Sequence, residues 1–73
     1  MRIERDRLRV AWREAALARL DGDIEPGAGI ELAALLLESD PLDEAALRAQ
    51  MTCYARSGQN ARAREAYRVF AAN

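Results

Sequence analysis

The stretch DPLDEAALRAQMTCYARSGQNARAREAYRVF, residues 40–70, decides the fold because it holds the start and stop signals of two consecutive helices. Asp43 is a residue type that caps a helix N-terminus well, and Ser57-Gly58 is a typical helix end. Asn60 is a second good capping residue and opens the next helix. The stretch therefore predicts helices over about residues 43–57 and 61–72.

The N-terminal half predicts two further helices joined by short turns. Residues 3–20 are rich in strong helix formers, and Gly22 can adopt the left-handed conformation that ends a helix. After a turn around Pro26, a second helix is expected over about residues 30–38, and it stops before Pro41 because the residue preceding a proline avoids helical angles. Short connections make successive helices antiparallel neighbours. The sequence thus predicts an all-α fold of four antiparallel helices.

The spacing of apolar residues predicts which helix faces are buried. In helix three, Leu47, Met51 and Tyr54 share one side. A similar stripe in helix four is formed by Ala63, Ala66, Tyr67 and Phe70. Helix two is apolar nearly all round, so we expect it to lie between two neighbouring helices.

Helix one differs because it carries two apolar stripes on different sides. One stripe consists of Ile3, Val10 and Leu17, and the other of Leu8, Trp12 and Ala15. Either a curling helical array covers the whole helix, or the second stripe is a protein interface. The interface hypothesis places Leu8 and Trp12 near the centre of the contact, with Arg5 or Arg19 at its rim.

The inventory of reactive side chains argues against an enzyme. The 73 residues include no histidine, which removes the commonest general base and metal ligand. Cys53 is the single cysteine, so an internal disulfide and a thiolate metal cluster are both excluded, and we interpret it as a buried apolar residue. The four glycines lack the spacing of a phosphate-binding loop. We expect no catalytic residue, no cofactor and no metal.

Composition and hydropathy predict one cytoplasmic domain. About half of the residues, 51%, are hydrophobic, which suits a globular domain of this length. No apolar stretch approaches the roughly 18 residues of a membrane span, and the charged N-terminus does not resemble a signal peptide. We therefore expect residues 1–73 to form a single domain, which could be part of a longer regulator, with no membrane association.

Charge is distributed unevenly along the chain. All 11 basic residues are arginines, and they lie in residues 1–20 and 48–68, whereas residues 21–47 carry only acidic charges. Neighbouring helices could neutralise one another, with Glu31 and Glu38 paired to arginines. Alternatively, the two ends form a basic surface for an acidic partner. Direct nucleic-acid binding is the weaker hypothesis because the acidic middle repels phosphate.

The spacing of helices three and four resembles a tetratricopeptide repeat. Leu47 stands at the first aromatic position of that pattern, Tyr54 at the tyrosine position, Ala63 at the small close-packing position and Tyr67 at the second aromatic position. An earlier, degenerate unit has Gly22 at its turn and Gly29 at its small position, with Asp40-Pro41 as its closing proline. The resemblance implies helical hairpins of the right-handed α-α superhelix type.

Residues 30–70 are also similar to the bacterial transcriptional activator domain of Streptomyces antibiotic regulatory protein-type regulators. The similarity rests on Asp40-Pro41-Leu42-Asp43-Glu44, Ser57-Gly58 and the pair Ala63 and Tyr67. In that family the domain follows a winged-helix DNA-binding domain and mediates self-association or regulation. The resemblance implies a non-catalytic module that contacts a protein partner or forms a homodimer.

Two alternatives to this function remain open from the sequence. One is a similar adaptor in an unrelated pathway. The other is an arginine-rich helical DNA-binding domain, which is less favoured because the helix after Ser57-Gly58 presents Ala63, Tyr67 and Phe70 as a core face.

Overall fold

The computed structural model describes the backbone of residues 2–72 and the side chains of residues 7–72. Within that part of the chain the fold is all-helical, with four helices and no strand. The helices are α1 (Arg2–Asp21), α2 (Pro26–Ser39), α3 (Glu44–Arg56) and α4 (Asn60–Ala72). They pack as tetratricopeptide-like hairpins, which confirms the predicted fold class.

Helix α2 begins at Pro26, four residues before the predicted start. Glu25 is its N-cap, and the carboxylate accepts hydrogen bonds from the backbone N–H groups of Gly27 and Ala28, both at 3.0 Å. These two bonds lower the pKa of Glu25. Pro26 fits the first helical position, where its missing N–H costs nothing. Local capping therefore extends the helix through Gly27 and Gly29, which had been predicted to form a turn.

The turns confirm the predicted cap at Asp43 and the predicted helix end at Ser57-Gly58, and they correct the predictions for Asn60 and Gly22. Asp43 caps α3 as predicted, because its carboxylate accepts from the N–H of Ala46 at 3.2 Å. Asn60 does not cap α4 but is its first helical residue, and Gln59 precedes it. Among the described residues, Gly58 has a positive φ of 75°, whereas Gly22 does not adopt the left-handed conformation.

Helix α2 packs against both α1 and α3, and α1 also contacts α3 directly. Among the described elements, α4 packs against α3 alone. The buried core consists of Ala16, Leu20, Ala33, Leu36, Ala46 and Cys53. Small side chains bring α2 and α3 close together. A Cβ atom on Gly29 would lie 2.5 Å from the Sγ atom of Cys53, so this crossing requires glycine.

Two predicted faces differ in the structure. Helix α1 buries Ala16 and Leu20 near its C-terminal end, which belong to neither predicted stripe, and Val10 is 55% exposed. Ile3 lies outside the described side chains. Residues 7–15 of α1 are all exposed, and the buried part of the helix begins at Ala16. In α4, Tyr67 is exposed rather than buried, because α3 alone among the described helices packs against α4.

Candidate protein interface

An apolar groove runs between α1 and α2 on the side away from α3, and we call it the α1–α2 groove. Its volume is about 410 Å³. The lining residues are Trp12, Ala15, Ala16, Arg19, Ile24, Ala28, Glu31, Leu32 and Leu35. Large apolar side chains at this groove stay in contact with solvent: Trp12 is 45% exposed and Leu35 is 52% exposed. Exposed apolar clusters of this kind mark interaction sites.

The predicted interface residues are placed on or next to this groove. Leu8 is 70% exposed and lies one helical turn before Trp12, so both project from the same face of α1. Arg19 lines the groove and is exposed, as expected for a rim residue. Arg5 lies outside the described side chains.

Leu35 belongs to the same surface but had not been singled out from the sequence. It lies in the run Leu32-Ala33-Ala34-Leu35-Leu36-Leu37, in which every position is apolar. Periodicity cannot tell which side of such a run is covered. Leu35 could have been suspected, because a short helix packed on two sides still leaves part of its apolar surface open to solvent.

Arg19 and Glu31, the charged residues that line the groove, form no ion pair among the residues whose side chains are described. Among the residues whose side chains are described, Glu31 and Glu38 form no ion pair, so the predicted pairing of these two glutamates is wrong. The pairs that do form are Arg13–Asp43, Arg48–Glu44 and Arg68–Glu65. Arg19 is also exposed and has no ion-pair partner in the described part. One positive and one negative side chain therefore remain available at the groove.

A long-range ion pair joins α1 to Asp43, the residue that caps α3. The guanidinium of Arg13 donates to both carboxylate oxygens of Asp43, at 2.7 and 3.0 Å. This hydrogen bonding lowers the pKa of Asp43 and raises that of Arg13. Trp12, the residue before Arg13, lines the α1–α2 groove and also the surface that contains Arg13 and Asp43. No sequence motif indicated this pair.

No group of residues in the described part of the chain is arranged to hold a metal ion. Across residues 2–72, none of the helices is both long enough and apolar enough to cross a membrane. Cys53 is buried in the core, in agreement with its interpretation as an apolar packing residue.

Comparison with known proteins gives one result. No curated protein and no solved structure matches the chain. The family model of the bacterial transcriptional activator domain matches residues 1–72, a longer span than the predicted resemblance over residues 30–70. This match confirms the resemblance and extends it through α1 and the start of α2. The chain belongs to the bacterial transcriptional activator domain family.

Proposed function

We propose that this transcription-regulatory domain is non-catalytic and works in the cytoplasm by protein–protein contact, with the α1–α2 groove as its contact surface and a second copy of the chain as its partner. The observation that carries the proposal is that Trp12 and Leu35 line the groove and are exposed, with the exposed Leu8 one helical turn before Trp12 on α1. Water contact with three large apolar side chains is unfavourable, and their burial in an interface contributes roughly 25 cal/mol per Å² of apolar surface.

The unpaired charges at the groove support a symmetric homodimer. In a two-fold interface, residue i of one copy contacts residue j of the other, and j contacts i in return. Arg19 and Glu31 have opposite charge, line the same groove and are both exposed. A two-fold axis through the groove brings Arg19 of each copy to Glu31 of the other. The surface is therefore self-complementary in charge as well as apolar.

Analytical ultracentrifugation over a range of concentrations tests this proposal. We expect the wild-type chain to dimerise as concentration rises. Trp12→Ala should weaken the dimer at least tenfold because it removes the largest side chain at the groove. The matched control is Leu42→Ser, since Leu42 is also 60% exposed but does not line the groove. A chain that stays monomeric at all concentrations would refute the homodimer.

A charge-exchange experiment tests the two-fold arrangement. Arg19→Glu and Glu31→Arg should each weaken the dimer, because each single change places like charges together. The double variant should recover most of the wild-type affinity, since it restores opposite charges with their positions exchanged. Failure of the double variant to recover would contradict the reciprocal Arg19–Glu31 contact.

A further inference from the structure

A second groove lies on a different part of the molecule, and we call it the α3–α4 groove. It runs between α3 and α4, and Leu37 of α2 and Pro41 of the following turn also line it. Its volume is about 550 Å³, and it shares no lining residue with the α1–α2 groove. It is lined by Leu37, Pro41, Leu47, Gln50, Tyr54, Arg62, Glu65, Ala66, Val69 and Phe70.

The unusual member of this lining is Gln50. Gln50 is only 8% exposed. None of the described residues forms a hydrogen bond with its carboxamide. Every fully enclosed polar side-chain atom in the described part of the chain has a hydrogen-bond partner. Because the carboxamide of Gln50 has none, it must keep access to solvent, and the groove that it lines provides that access. Gln50 therefore offers both a donor and an acceptor to whatever enters the groove.

The charge available at the rim of this groove is positive. Glu65 is neutralised by Arg68, which donates to its two carboxylate oxygens at 3.0 and 2.8 Å. Arg62 also lines the groove, is exposed and forms no ion pair within the described part of the chain. An occupant with an acidic group near an apolar side chain matches this arrangement.

We propose that the α3–α4 groove binds a short extended peptide segment of a partner protein, with a large apolar side chain in the groove, a backbone peptide group hydrogen-bonded to Gln50 and an acidic residue at Arg62. An extended segment fits better than a helix because the backbone N–H and C=O groups inside a helix already bond to each other. A primary carboxamide pairs with a free peptide group through its donor and its acceptor. This site is separate from the proposed dimer surface and does not depend on it.

The test uses a phage-displayed library of random octapeptides selected on the wild-type chain, followed by calorimetry with the strongest selected peptide. We expect the selected sequences to combine a Leu, Ile, Phe or Met with an Asp or Glu. Gln50→Met keeps the side-chain length but removes the amide, and it should weaken binding at least tenfold. Arg62→Gln should weaken binding several-fold and reduce its salt dependence. Leu35→Ser, on the other groove, should bind the peptide like the wild type.

A measurement on the unmodified chain keeps the test independent of the stability of the variants. In the ¹⁵N spectrum, the side-chain amide signals of Gln50 should shift when the peptide is added, whereas the indole signal of Trp12 should not. Ultracentrifugation of Gln50→Met should match the wild type, which separates failure here from failure of the dimer. The proposal is overturned if no peptide is enriched, if Gln50→Met binds equally well, or if the Gln50 amide signals stay in place.

Discussion

Arg13 in α1 and Asp43 at the start of α3 form a two-pronged ion pair across 30 residues of sequence, with Nε–Oδ2 and Nη2–Oδ1 distances of 2.7 and 3.0 Å. The same Asp43 carboxylate caps α3 by accepting from the N–H of Ala46. The Asp43 side chain is 3% exposed, whereas that of Arg13 is 46% exposed. One carboxylate therefore both starts α3 and holds α1 against the α2–α3 turn.

This pair predicts how stability changes with pH. Hydrogen bonds from Arg13 hold the pKa of Asp43 below its ordinary value of about 3.9, although burial opposes them. Between the folded and unfolded pKa values the unfolded chain binds more protons, so stability rises with pH in that window. The contribution is complete above the unfolded value and is lost as pH falls through the folded value. The free energy of unfolding of Asp43→Asn should therefore fall less steeply than that of the wild type below about pH 5. Urea unfolding at a series of pH values measures this.

The control for this prediction is Arg13→Gln, which removes the cation but leaves Asp43 in place. Asparagine is also a good N-cap, so Asp43→Asn should preserve the start of α3. Some acid dependence should remain in both variants, because the pKa values of Glu25 and Glu65 are also lowered. If the stability of Asp43→Asn falls with pH as that of the wild type does, the Arg13–Asp43 pair does not contribute to the pH dependence of stability.

The close approach of α2 to α3 predicts that Gly29→Ala destabilises the domain. A methyl group there would meet the Sγ atom of Cys53, and overpacking of this kind costs about 1–3 kcal/mol. The opposing gain in helix propensity is about 1 kcal/mol. In a Cys53→Ala background the clash is gone, so the same Gly29→Ala change should become neutral or stabilising. Thermal unfolding of the four chains checks this, and additive effects would contradict the contact.

The contact between α3 and α4 should not tolerate a larger side chain at position 63. It is 8% exposed and is the buried residue of α4, which packs against α3. Ala63→Leu should lower the free energy of unfolding by about 1–3 kcal/mol, because the larger side chain has no space between the helices. Ala61→Leu is the matched control on the exposed side of α4 and should have little effect. Equal denaturation midpoints for the two variants would reject the close packing at Ala63.

The glycines that follow α1 and α3 should differ in their sensitivity to alanine. Gly58 has φ of 75°, and no atom lies within 4 Å of an added Cβ, so Gly58→Ala introduces backbone strain of about 1–2 kcal/mol. Gly22 lacks a positive φ, and its added Cβ would make ordinary contacts at 3.5 Å. Gly22→Ala should therefore change stability by less than about 0.5 kcal/mol. Chemical denaturation of both variants checks this. Equal losses in the free energy of unfolding would contradict the prediction.

The class of fold, the number of helices and most helix ends followed from local chemistry. Asp43 as a cap and Ser57-Gly58 as a stop act within one or two turns, so the residues themselves are sufficient to predict them. The family resemblance was visible for the same reason, since it rests on residue spacing within a hairpin. The start of α2 was placed too late, because Gly27 and Gly29 are typical of turns and the capping by Glu25 outweighed that preference.

The surfaces depend on how the helices cross, and a single sequence does not specify this. Leu8 and Trp12 could be proposed as interface residues from the second stripe of α1, but the placement of Trp12 on one groove with Leu35 required the packing of α1 on α2. The Arg13–Asp43 pair and the unpaired amide of Gln50 likewise depend on contacts between distant segments. Such contacts arise from small differences among competing side-chain packings, whereas helix caps arise from hydrogen bonds between near neighbours.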